Sequence, residues 1–407
     1  MEKIITKYGL PPEVKFCKKC VYSNQRPSTT VEFNNVKDAK KETLELDEEG
    51  VCAACRFAEY KEKIDWKKRE EELMALCDKH RSRQGYYDCI VPGSGGKDSS
   101  FAAHILKYKY GMNPLTCTWA PHLYTDIGWK NMMSWIHMGG FDNILFSPNG
   151  RVHSLLTKLA FENLLHPFQP FIIGQKNIAP KTAVLYNIPL IFYGENPAEF
   201  GSSTKSGDME ENDSSIMKKK FFASDIDLNK IFLGGVSVRA LTDKYGLSKN
   251  DMNPYLPVLE EDTERVGIEV HYLGYYLKFD SQENYYYAAQ NTGFQANVER
   301  TEGSYSKYSS IDDKVDPFHH YTTLIKFGLG RASFDAAQEI RNGKITREEG
   351  VTLVRRFDQE FPQKYFKEFL EYINISEEKF WEIINSARSP HLWENINGKW
   401  ILKHQVG

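Results

Sequence analysis

The residues with the clearest chemical potential lie in one short stretch, SGGKDSS, directly after the apolar run DCIVP and at the start of a predicted helix. Glycines at such a bend let backbone N–H groups approach an anion closely, and a helix N-terminus adds further donors. Serine hydroxyls can bind phosphate oxygens, whereas an aspartate repels phosphate unless a divalent cation lies between them. The stretch therefore predicts a phosphate-binding loop that uses Mg²⁺, made of Ser94, Gly95, Gly96, Lys97, Asp98, Ser99 and Ser100.

Two familiar phosphate loops do not match this stretch. A Walker loop, G-x-x-x-x-G-K-[ST], requires a glycine at position 91 and a hydroxyl after Lys97, but the residues there are Val91 and Asp98. A dinucleotide fingerprint, G-x-G-x-x-G, lacks its last glycine after Gly96. The simplest alternative is an ordinary strand–helix turn with one capping residue, and such a turn does not require this whole set of polar side chains.

Four of the seven cysteines form two close pairs near the N-terminus. The pattern C-x₂-C, 31 intervening residues and C-x₂-C suits tetrahedral Zn²⁺ held by four thiolates with no open position, which predicts a structural site. The spacer is long, but the entropy of loop closure grows slowly with length. A redox pair or an iron–sulfur site is the alternative. The predicted ligands are Cys17, Cys20, Cys52 and Cys55.

From Tyr87 onward, short apolar runs alternate with stretches of helical spacing. DCIVP, PLTCTWA, NILFS and IPLIFYG are predicted as buried strands, and helical patterns separate them. This alternation predicts an α/β fold, with a parallel sheet covered by helices on both faces. Ligands in such folds bind beyond the carboxyl ends of the strands, which is where SGGKDSS lies.

The chain divides into four predicted parts. A polar region over 200–320 is expected to form loops and short helices, and helices are expected again over 332–388, with N-caps at Thr346 and Ser376. The four parts are a zinc-binding, zinc-ribbon-like module with four cysteines (1–60), a linking helix (61–84), the sheet domain (85–260) and a mainly helical C-terminal region that binds substrate or a partner (261–407).

Composition and charge narrow the class of protein further. The 407 residues are 41% hydrophobic and 26% charged, which is ordinary for a globular protein. A net charge of −3 provides no basic field for nucleic acid. No apolar run approaches the ~18 residues of a membrane span, and no secretory signal is evident. We expect a cytoplasmic protein with no nucleic-acid or membrane partner.

SGGKDSS resembles the S-G-G-x-D-S loop of the N-type ATP pyrophosphatases, or PP-loop enzymes. The resemblance implies an adenine nucleotide alpha-hydrolase-like fold, in which this loop binds the β- and γ-phosphates of ATP before they leave as pyrophosphate. In that superfamily a carbonyl oxygen is adenylylated, and a nitrogen or sulfur nucleophile then displaces AMP.

Most of the chain resembles the N-acetyl sugar amidotransferases of bacterial surface-polysaccharide biosynthesis. The resemblance rests on the order and spacing of CKKC, CAAC, PGSGGKDSS, YGENPAEFG, IKFGLGRAS and EIRNGKITREEGV. These enzymes convert a sugar acetamido group into an acetamidino group. By the resemblance, ammonia comes from a partner glutaminase like that of histidine biosynthesis, with or without a cyclase-like companion. The cysteine contexts of this chain agree, because none matches a built-in glutaminase.

Catalytic candidates are Asp98, Lys97, Glu195 and Asn196. Asp98 is the predicted Mg²⁺ ligand. Glu195 follows the run IPLIFYG and is either a second ligand or a group that orients ammonia. Asn196 binds the acetamido group or, equally, caps a helix before Pro197.

Four basic residues are candidates for binding anions. Lys176 and Lys181 in GQKNIAPK, predicted to lie in a loop, would neutralise pyrophosphate unless they are simply solvated. Lys326 and Arg331 in KFGLGR would bind substrate phosphate or carboxylate, with an internal ion pair as the alternative for Arg331.

A tRNA thiolase built on the same loop is the alternative function. It needs a cysteine to carry sulfur, and Cys117, near the end of the second predicted strand, is the best placed, whereas Cys89 is expected in the core. The charge of −3 disfavours a tRNA partner. Replacing Cys117 with serine separates the two functions.

Overall fold

A computed structural model describes residues 5–29, 31–82, 84–201, 213–223 and 230–407. Its strands are β1 (Cys89–Pro92), β2 (Pro114–Trp119), β3 (Asp142–Phe146), β4 (Leu190–Tyr193), β5 (Phe232–Leu233), β6 (Val236–Ser237), β7 (Glu269–Tyr272), β8 (Trp393–Ile396) and β9 (Lys399–Leu402). Five of them form a parallel sheet in the order β3-β2-β1-β4-β7, and β5-β6 and β8-β9 are antiparallel pairs. The predicted parallel sheet is confirmed.

Helices lie on both faces of this sheet, as predicted. Up to the fourth strand they are α1 (Ala53–Lys61), α2 (Trp66–His80), α3 (Lys97–Tyr108), α4 (Asp126–His137), α5 (Gly150–Leu164) and α6 (Gln169–Tyr186). After it come α7 (Val238–Tyr245), α8 (Lys249–Met252), α9 (Glu260–Val266), α10 (Leu273–Tyr276), α11 (Ser281–Asn291), α12 (Asp316–Phe327), α13 (Arg331–Arg341), α14 (Arg347–Phe357), α15 (Phe366–Ile373) and α16 (Glu377–Ala387).

Alternation along the strands divides the sheet's core in two. Ile90 of β1 and Ile191 of β4 pack with apolar residues of α5 and α6 on one face. Cys89 and Val91, the neighbours of Ile90, pack with α2, α3 and α4 on the other face. Successive side chains of a strand point to opposite faces, so both faces of β1 are buried and the strand reads as one continuous apolar run.

Two sequence expectations about the sheet are corrected. NILFS was expected to be a buried strand, but β3 lies at the edge of the sheet, with one neighbour, and its residues are exposed or half-buried. The sheet also extends past residue 260, because β7 pairs in parallel with β4 from Leu190↔Glu269 to Tyr193↔Tyr272. The boundary between the sheet domain and the C-terminal region therefore lies after β7.

Lys176 and Lys181 lie in helix α6, not in the expected loop. The glycine and proline of GQKNIAPK suggested a loop, yet the helix contains Pro180. Because proline has no N–H, the backbone oxygen of Lys176 loses its helical donor, and the Tyr193 hydroxyl lies 3.5 Å from it. A neighbouring strand thus compensates part of the cost of the internal proline.

A third core joins the two ends of the chain. All four N-terminal cysteines pack in one apolar cluster with residues of α12 to α16, including Phe369 and Phe380. The predicted N-caps are confirmed: Thr346 forms a capping box with Glu349, and the Ser376 side chain accepts from the Lys379 N–H. The expected polar segment over 200–215 lies largely outside the described residues. Among those described, no helix is both long and apolar enough for a membrane crossing.

Candidate active site

A cavity of about 1930 Å³ opens at the carboxyl ends of β1 and β4. The chain leaves β1 toward β2 and β3 on one side of the sheet, and toward β4 and β7 on the other, so the strand order reverses between β1 and β4. Ligands of parallel sheets bind at such a reversal, because the loops after the two strands separate there. The loops that follow β1 and β4, 93–99 and 194–197, both line the cavity.

The loop after β1 is held close to the protein backbone by its glycines. Gly95 has φ of 78°, and a Cβ there would lie 2.7 Å from the Asn131 backbone oxygen, so a side chain is excluded. Helix α3 begins at Lys97 with Gly96 as its N-cap, and no side chain caps it. The first backbone N–H groups of α3 therefore lack intrahelical acceptors at a cavity wall, which suits an anion.

Asp98 is fixed by two donors. Its Oδ2 accepts from Lys97 Nζ at 2.6 Å, and its Oδ1 accepts from Asn284 Nδ2 at 2.9 Å. Asn284 belongs to α11, far along the sequence, and gave no signal in the sequence analysis. The carboxylate is therefore oriented by its own helix α3 and by α11, which packs against α3.

Glu195 stands at the end of β4 with its side chain exposed to the cavity and enclosed by protein around it. This enclosure and the nearby negative charge of Asp98 together raise the pKa of Glu195 to about 7, although Lys97 and Arg331 oppose the shift. The two carboxyl groups therefore lie close enough to interact. Near neutral pH the group can change its protonation state at little cost.

The convergence of Asp98 and Glu195 is the structural test of the predicted Mg²⁺ site. Two neighbouring carboxylates repel each other, and hard oxygen ligands of this kind are what Mg²⁺ prefers. The residues present fit the ion: Asp98 and Glu195 would hold it, and it would supply positive charge to the phosphate oxygens of a nucleotide. The loops that carry them touch, since a Cβ on Gly194 would lie 3.0 Å from the Asp98 backbone oxygen.

Asn196 has a structural task at this position. Its Oδ1 accepts from the Ala198 N–H at 3.0 Å, which caps the short turn that follows, and its Nδ2 donates to Asp213 Oδ1 at 3.0 Å. Both halves of the amide are occupied, and the side chain is buried. The cap predicted as one alternative is therefore present, while the residue still lines the cavity.

The opposite wall comes from the C-terminal half of the chain. Asp312 accepts a hydrogen bond from Ser94 Oγ at 2.8 Å, and burial raises the pKa of Asp312. Burial likewise raises the pKa of Asp316, to about 6, although Arg331 opposes this shift. Sequence reasoning missed both aspartates because this segment is not a strand end, and only the density of polar residues in SSIDDKVDPFHH marked it.

Arg331 forms the internal ion pair predicted as one alternative, and its predicted binding of substrate stays a prediction. It lines the cavity. It also forms an ion pair with Asp335, whose Oδ1 lies 3.1 Å from Nη2, and its Nη1 donates to His320 Nε2 at 3.0 Å. Burial and the Arg331 charge lower the pKa of His320 well below its usual range, so His320 is neutral and can accept.

Three predicted binding residues do not line the cavity. Lys326 is buried and donates to the Leu164 backbone oxygen at 2.9 Å, where it caps the C-terminal end of α5. Lys181 donates to the Asn253 backbone oxygen. Ser100 is fully buried, and its Oγ has no hydrogen-bond partner among the described residues. Substrate binding by Lys326 is therefore corrected to helix capping.

The other basic candidate, Lys176, does line the cavity. Burial lowers its pKa, and its Nζ lies 5.4 Å from the centre of the Phe221 ring. Burial also lowers the pKa of Lys181, to about 8. Of the two lysines in GQKNIAPK, only Lys176 is placed to meet an anion in the cavity.

The four N-terminal cysteines lie together, with all Sγ atoms within 4.8 Å of one another. Tetrahedral Zn²⁺ with Zn–S bonds of about 2.3 Å requires sulfur–sulfur separations of about 3.8 Å. Cys17 and Cys55 are 3.9 Å apart, and Cys20 and Cys52 are 3.7 Å apart. Backbone N–H groups of Lys19 and Cys52 point at Cys17 Sγ, as for a thiolate. The residues fit structural zinc.

Cys117 is not available to the cavity. It is fully buried in the core between the sheet and α6, and it does not line the cavity. Burial raises the pKa of its thiol to about 12, so the reactive thiolate is disfavoured.

Residues 302–406, about a quarter of the 407-residue chain, match the family described as "LPS biosynthesis protein WbpG-like, C-terminal domain". The resemblance to a surface-polysaccharide family is confirmed. The matched region contains Arg331 and the helices α12 to α16, and so includes part of the cavity wall opposite the sheet.

No curated protein matches the chain in sequence. Among solved structures, NMN synthetase from Francisella tularensis matches with 17% identity and a TM-score of 0.27, over 58% of this chain and 89% of that one. A likeness this low adds nothing to the strand order described above.

Proposed function

We propose that the protein is an ATP-dependent amidotransferase of surface-glycan biosynthesis, of the PP-loop ATP pyrophosphatase type. It adenylylates the acetamido oxygen of an N-acetyl sugar, carried on a nucleotide, and ammonia then replaces that oxygen. The products are an acetamidino sugar, AMP and pyrophosphate. The observation that carries the proposal is that Asp98 and Glu195 lie close together at the glycine loop. They line one wall of a cavity whose volume is larger than a single small ligand needs.

The size of the cavity supports a reaction between two large substrates. Sites for one small ligand occupy roughly 300–1,000 Å³. The cavity here measures about 1930 Å³. ATP bound at the sheet wall, formed by 93–99 and 194–197, leaves room for a nucleotide-linked sugar against the opposite wall. The acetamido group can then reach the α-phosphate.

In the proposed first step, the loop after β1 binds pyrophosphate, the leaving group. The amide oxygen attacks the α-phosphorus, the bond from that phosphorus to the bridging oxygen breaks, and the amide N–H proton is lost as the O-adenylyl imidate forms. Backbone N–H groups of 95–98 and the Lys97 ammonium would bind the β- and γ-phosphates as pyrophosphate departs. Lys176, at the same cavity, would add positive charge.

The second step replaces oxygen with nitrogen. Ammonia attacks the imidate carbon, a proton is removed from the new nitrogen, and AMP leaves with the former acetamido oxygen. Of the two roles left open for Glu195, this step uses the one in which Asp98 alone holds the ion: without a bound cation, the pKa of Glu195, about 7, places its titration near neutral pH and suits it to take this proton. Water would destroy the imidate, so the two walls must enclose it.

Substrate recognition is assigned to the wall opposite the sheet. Arg331 and His320 present a charged and a neutral polar group at the cavity, and they suit an anionic or hydroxylated sugar. Asn196 is assigned a positioning role, because its amide is already held by Ala198 and Asp213.

Ammonia is proposed to come from a separate glutaminase subunit resembling that of histidine biosynthesis, with or without a cyclase-like subunit, in the cytoplasm where ATP is available. The seven cysteines support an external source. Four of them, at 17, 20, 52 and 55, form the cluster that fits zinc, called here the metal-type cluster. Cys77, Cys89 and Cys117 are fully buried, so no cysteine is placed as a glutaminase nucleophile.

The tRNA thiolase is the weaker candidate. It requires a sulfur carrier at the cavity, and burial of Cys117 together with a pKa raised to about 12 disfavours that role. No observation favours tRNA as a partner over a sugar.

One experiment tests the proposal. The purified chain is incubated with ATP, Mg²⁺, isotopically labelled ammonium and a panel of nucleotide-linked N-acetyl sugars whose acetamido oxygen carries heavy oxygen. We expect labelled nitrogen in the sugar, heavy oxygen in AMP, and pyrophosphate. Formation of ADP and orthophosphate, or AMP without the oxygen label, contradicts it. A glutaminase added with glutamine should replace ammonium only if the partner assignment is correct.

A further inference from the structure

Arg341, the last residue of α13, is a buried cation without a conventional partner. Its Nε, Nη1 and Nη2 are all inaccessible to solvent, and none has a hydrogen-bond partner among the described residues. A guanidinium carries five N–H donors and is always charged. Burying such a group unpaired costs several kcal/mol, so a compensating negative charge is expected beside it.

Arg341 contacts the Tyr22 ring, and the charge of the cysteines in the metal-type cluster affects it. The guanidinium carbon lies 5.2 Å from the centre of the Tyr22 ring. Burial lowers the pKa of Arg341, but Tyr22 and the sulfur atoms of Cys20, Cys55 and Cys52 outweigh it and raise the pKa overall. Tyr22 is two residues from Cys20, so the contact with its ring places the guanidinium beside the N-terminal module.

A carboxylate that interacts with Arg341, Glu199, is already paired with another cation. Glu199 interacts with Arg341 electrostatically, but its two oxygens accept from Lys61 Nζ at 2.8 and 3.0 Å. Both members of that pair are buried. Lys61 therefore neutralises Glu199, and no carboxylate oxygen of the described residues accepts a hydrogen bond from Arg341.

Four thiolates around a divalent ion carry two negative charges in total, and this is the missing countercharge. A second guanidinium supports this balance: Arg26 is buried, its Nε and Nη1 have no partner in the described part of the chain, and it lies 4.8 Å from the same Tyr22 ring. Both buried cations therefore contact the tyrosine that lies two residues from Cys20.

Arg341 reaches the cysteines through Tyr22, whose ring it contacts and whose N–H points at Cys20 Sγ at 3.5 Å. We propose that Arg341 is the electrostatic partner of a divalent metal–tetrathiolate centre at Cys17, Cys20, Cys52 and Cys55, and that this pairing holds α13 against the N-terminal module. Arg341 is a positioning residue, and the ion is bound by the cysteines alone. The inference does not depend on the reaction proposed above.

Metal binding would also affect the cavity, because helix α13 extends from the metal-type cluster to the cavity wall. Helix α13 spans Arg331 to Arg341, about 15 Å at 1.5 Å per residue. Arg331 at its first position lines the cavity, as do Phe334 and Tyr22, whose rings pack edge-on with centres 5.7 Å apart. Metal bound at one end of the helix thus fixes the wall that the other end presents.

Metal retention tests the proposal directly. Zinc-loaded wild type, Arg341→Met, Arg341→Lys and the control Arg56→Met are mixed with a chromogenic chelator, and zinc content and release rate are measured. Arg56 is the matched control because it lies next to Cys55 but is paired with Asp47 at 3.1 Å. We expect Arg341→Met to release zinc roughly tenfold faster or more, with the lysine variant closer to wild type.

Hydrogen exchange of the backbone amides shows whether α13 is still held in place. In Arg341→Met, amides of 331–341 should exchange faster, while those of 97–108 in α3 should be unchanged. Release and exchange equal to wild type in Arg341→Met would overturn the proposal, as would an equal effect of Arg56→Met. If the methionine variant does not fold, the lysine variant decides: wild-type zinc retention supports a role for charge, and rapid loss refutes it.

Discussion

The two walls of the cavity are built by different means. The sheet wall, 93–99 and 194–197, consists of short loops that directly follow two paired strands. The opposite wall, including 308–316 and 331–338, comes from a region whose core also contains the four N-terminal cysteines. One wall is placed by local chain geometry, and the other by contacts between the two ends of the sequence.

Because of this difference, we expect substitutions in the two walls to have different effects. A change in the loop after β1 should remove chemistry and leave the fold, since the strands beneath it pack in their own two cores. A change at the cysteine cluster should loosen the opposite wall and leave the sheet.

Asp98→Ala should reduce turnover by about a thousandfold or more, because the carboxylate beside the phosphate site is lost. The sheet wall should otherwise persist, with thermal unfolding close to wild type. Turnover is measured as pyrophosphate and AMP release. The matched control is Asp126→Ala, an exposed aspartate in the first turn of α4. Turnover in Asp98→Ala within a few-fold of wild type would show that the loop is not the reaction centre.

Cys52→Ser should lower the midpoint of thermal unfolding by about 5 °C or more, because it removes a metal ligand from the core shared by both ends of the chain. Bound zinc should fall in parallel. Cys77→Ser is the control, a buried cysteine in the core of α2 and the sheet. An equal loss of stability in both variants would mean that burial, and not metal binding, explains the effect.

The sheet wall is also the part that sequence predicts best. DCIVP and IPLIFYG are apolar because both faces of β1 and β4 are covered, and the polar residues after them meet because parallel strands share an edge. Asp98 and Glu195 could thus be placed side by side from pattern alone. β7 was not recognised because GIEVHYLG is short and lies beyond a polar region with little periodicity.

The opposite wall resisted prediction because its contacts are long-range. Ser94 and Asp312, or Asp98 and Asn284, are far apart in sequence, and no local pattern connects them. Lys326 and Arg331 are five positions apart and looked equivalent, yet the turn at Gly328, with φ of 71°, separates them. Lys326 ends up capping α5, whereas Arg331 faces the cavity.

The pH dependence of turnover sharpens the assignment at the sheet wall. Glu195 has a raised pKa of about 7, so it is protonated below this value and ionised above it. If the ionised form accepts a proton from attacking ammonia, turnover should rise with pH through about 7 and level off. The concentration of uncharged ammonia is held constant across the series by adjusting total ammonium.

Glu195→Gln is the companion variant, because it keeps the shape and removes the titration. Turnover should fall about a hundredfold at pH above 8, and the inflection near 7 should vanish. A wild-type profile that is flat across this range, or an inflection that survives in the glutamine variant, would assign the proton transfer to another group.

Arg331→Met and Lys326→Met should separate the two cations of KFGLGR. Loss of Arg331 should raise the KM for the sugar about tenfold and leave the KM for ATP unchanged, since a charge-assisted contact is lost at the opposite wall. Lys326→Met should change neither KM but lower stability, because the backbone oxygen of Leu164 loses its donor. Steady-state kinetics and thermal unfolding of both variants decide. A higher KM in Lys326→Met would contradict the placement of that residue away from the cavity.

Cys117→Ser should have the smallest effect and tests both walls together. The thiol is fully buried in the core between the sheet and α6, and burial raises its pKa to about 12. Amidination should therefore stay within about twofold of wild type, with a modest loss of stability from placing a hydroxyl in an apolar site. Turnover is compared at saturating ATP and sugar, with Cys89→Ser as a second buried control. Collapse of activity in Cys117→Ser alone, with the fold intact by circular dichroism, would mean that the thiol reaches the substrates. That result would favour sulfur transfer, because an amide exchange with ammonia has no step for a cysteine at β2 to perform.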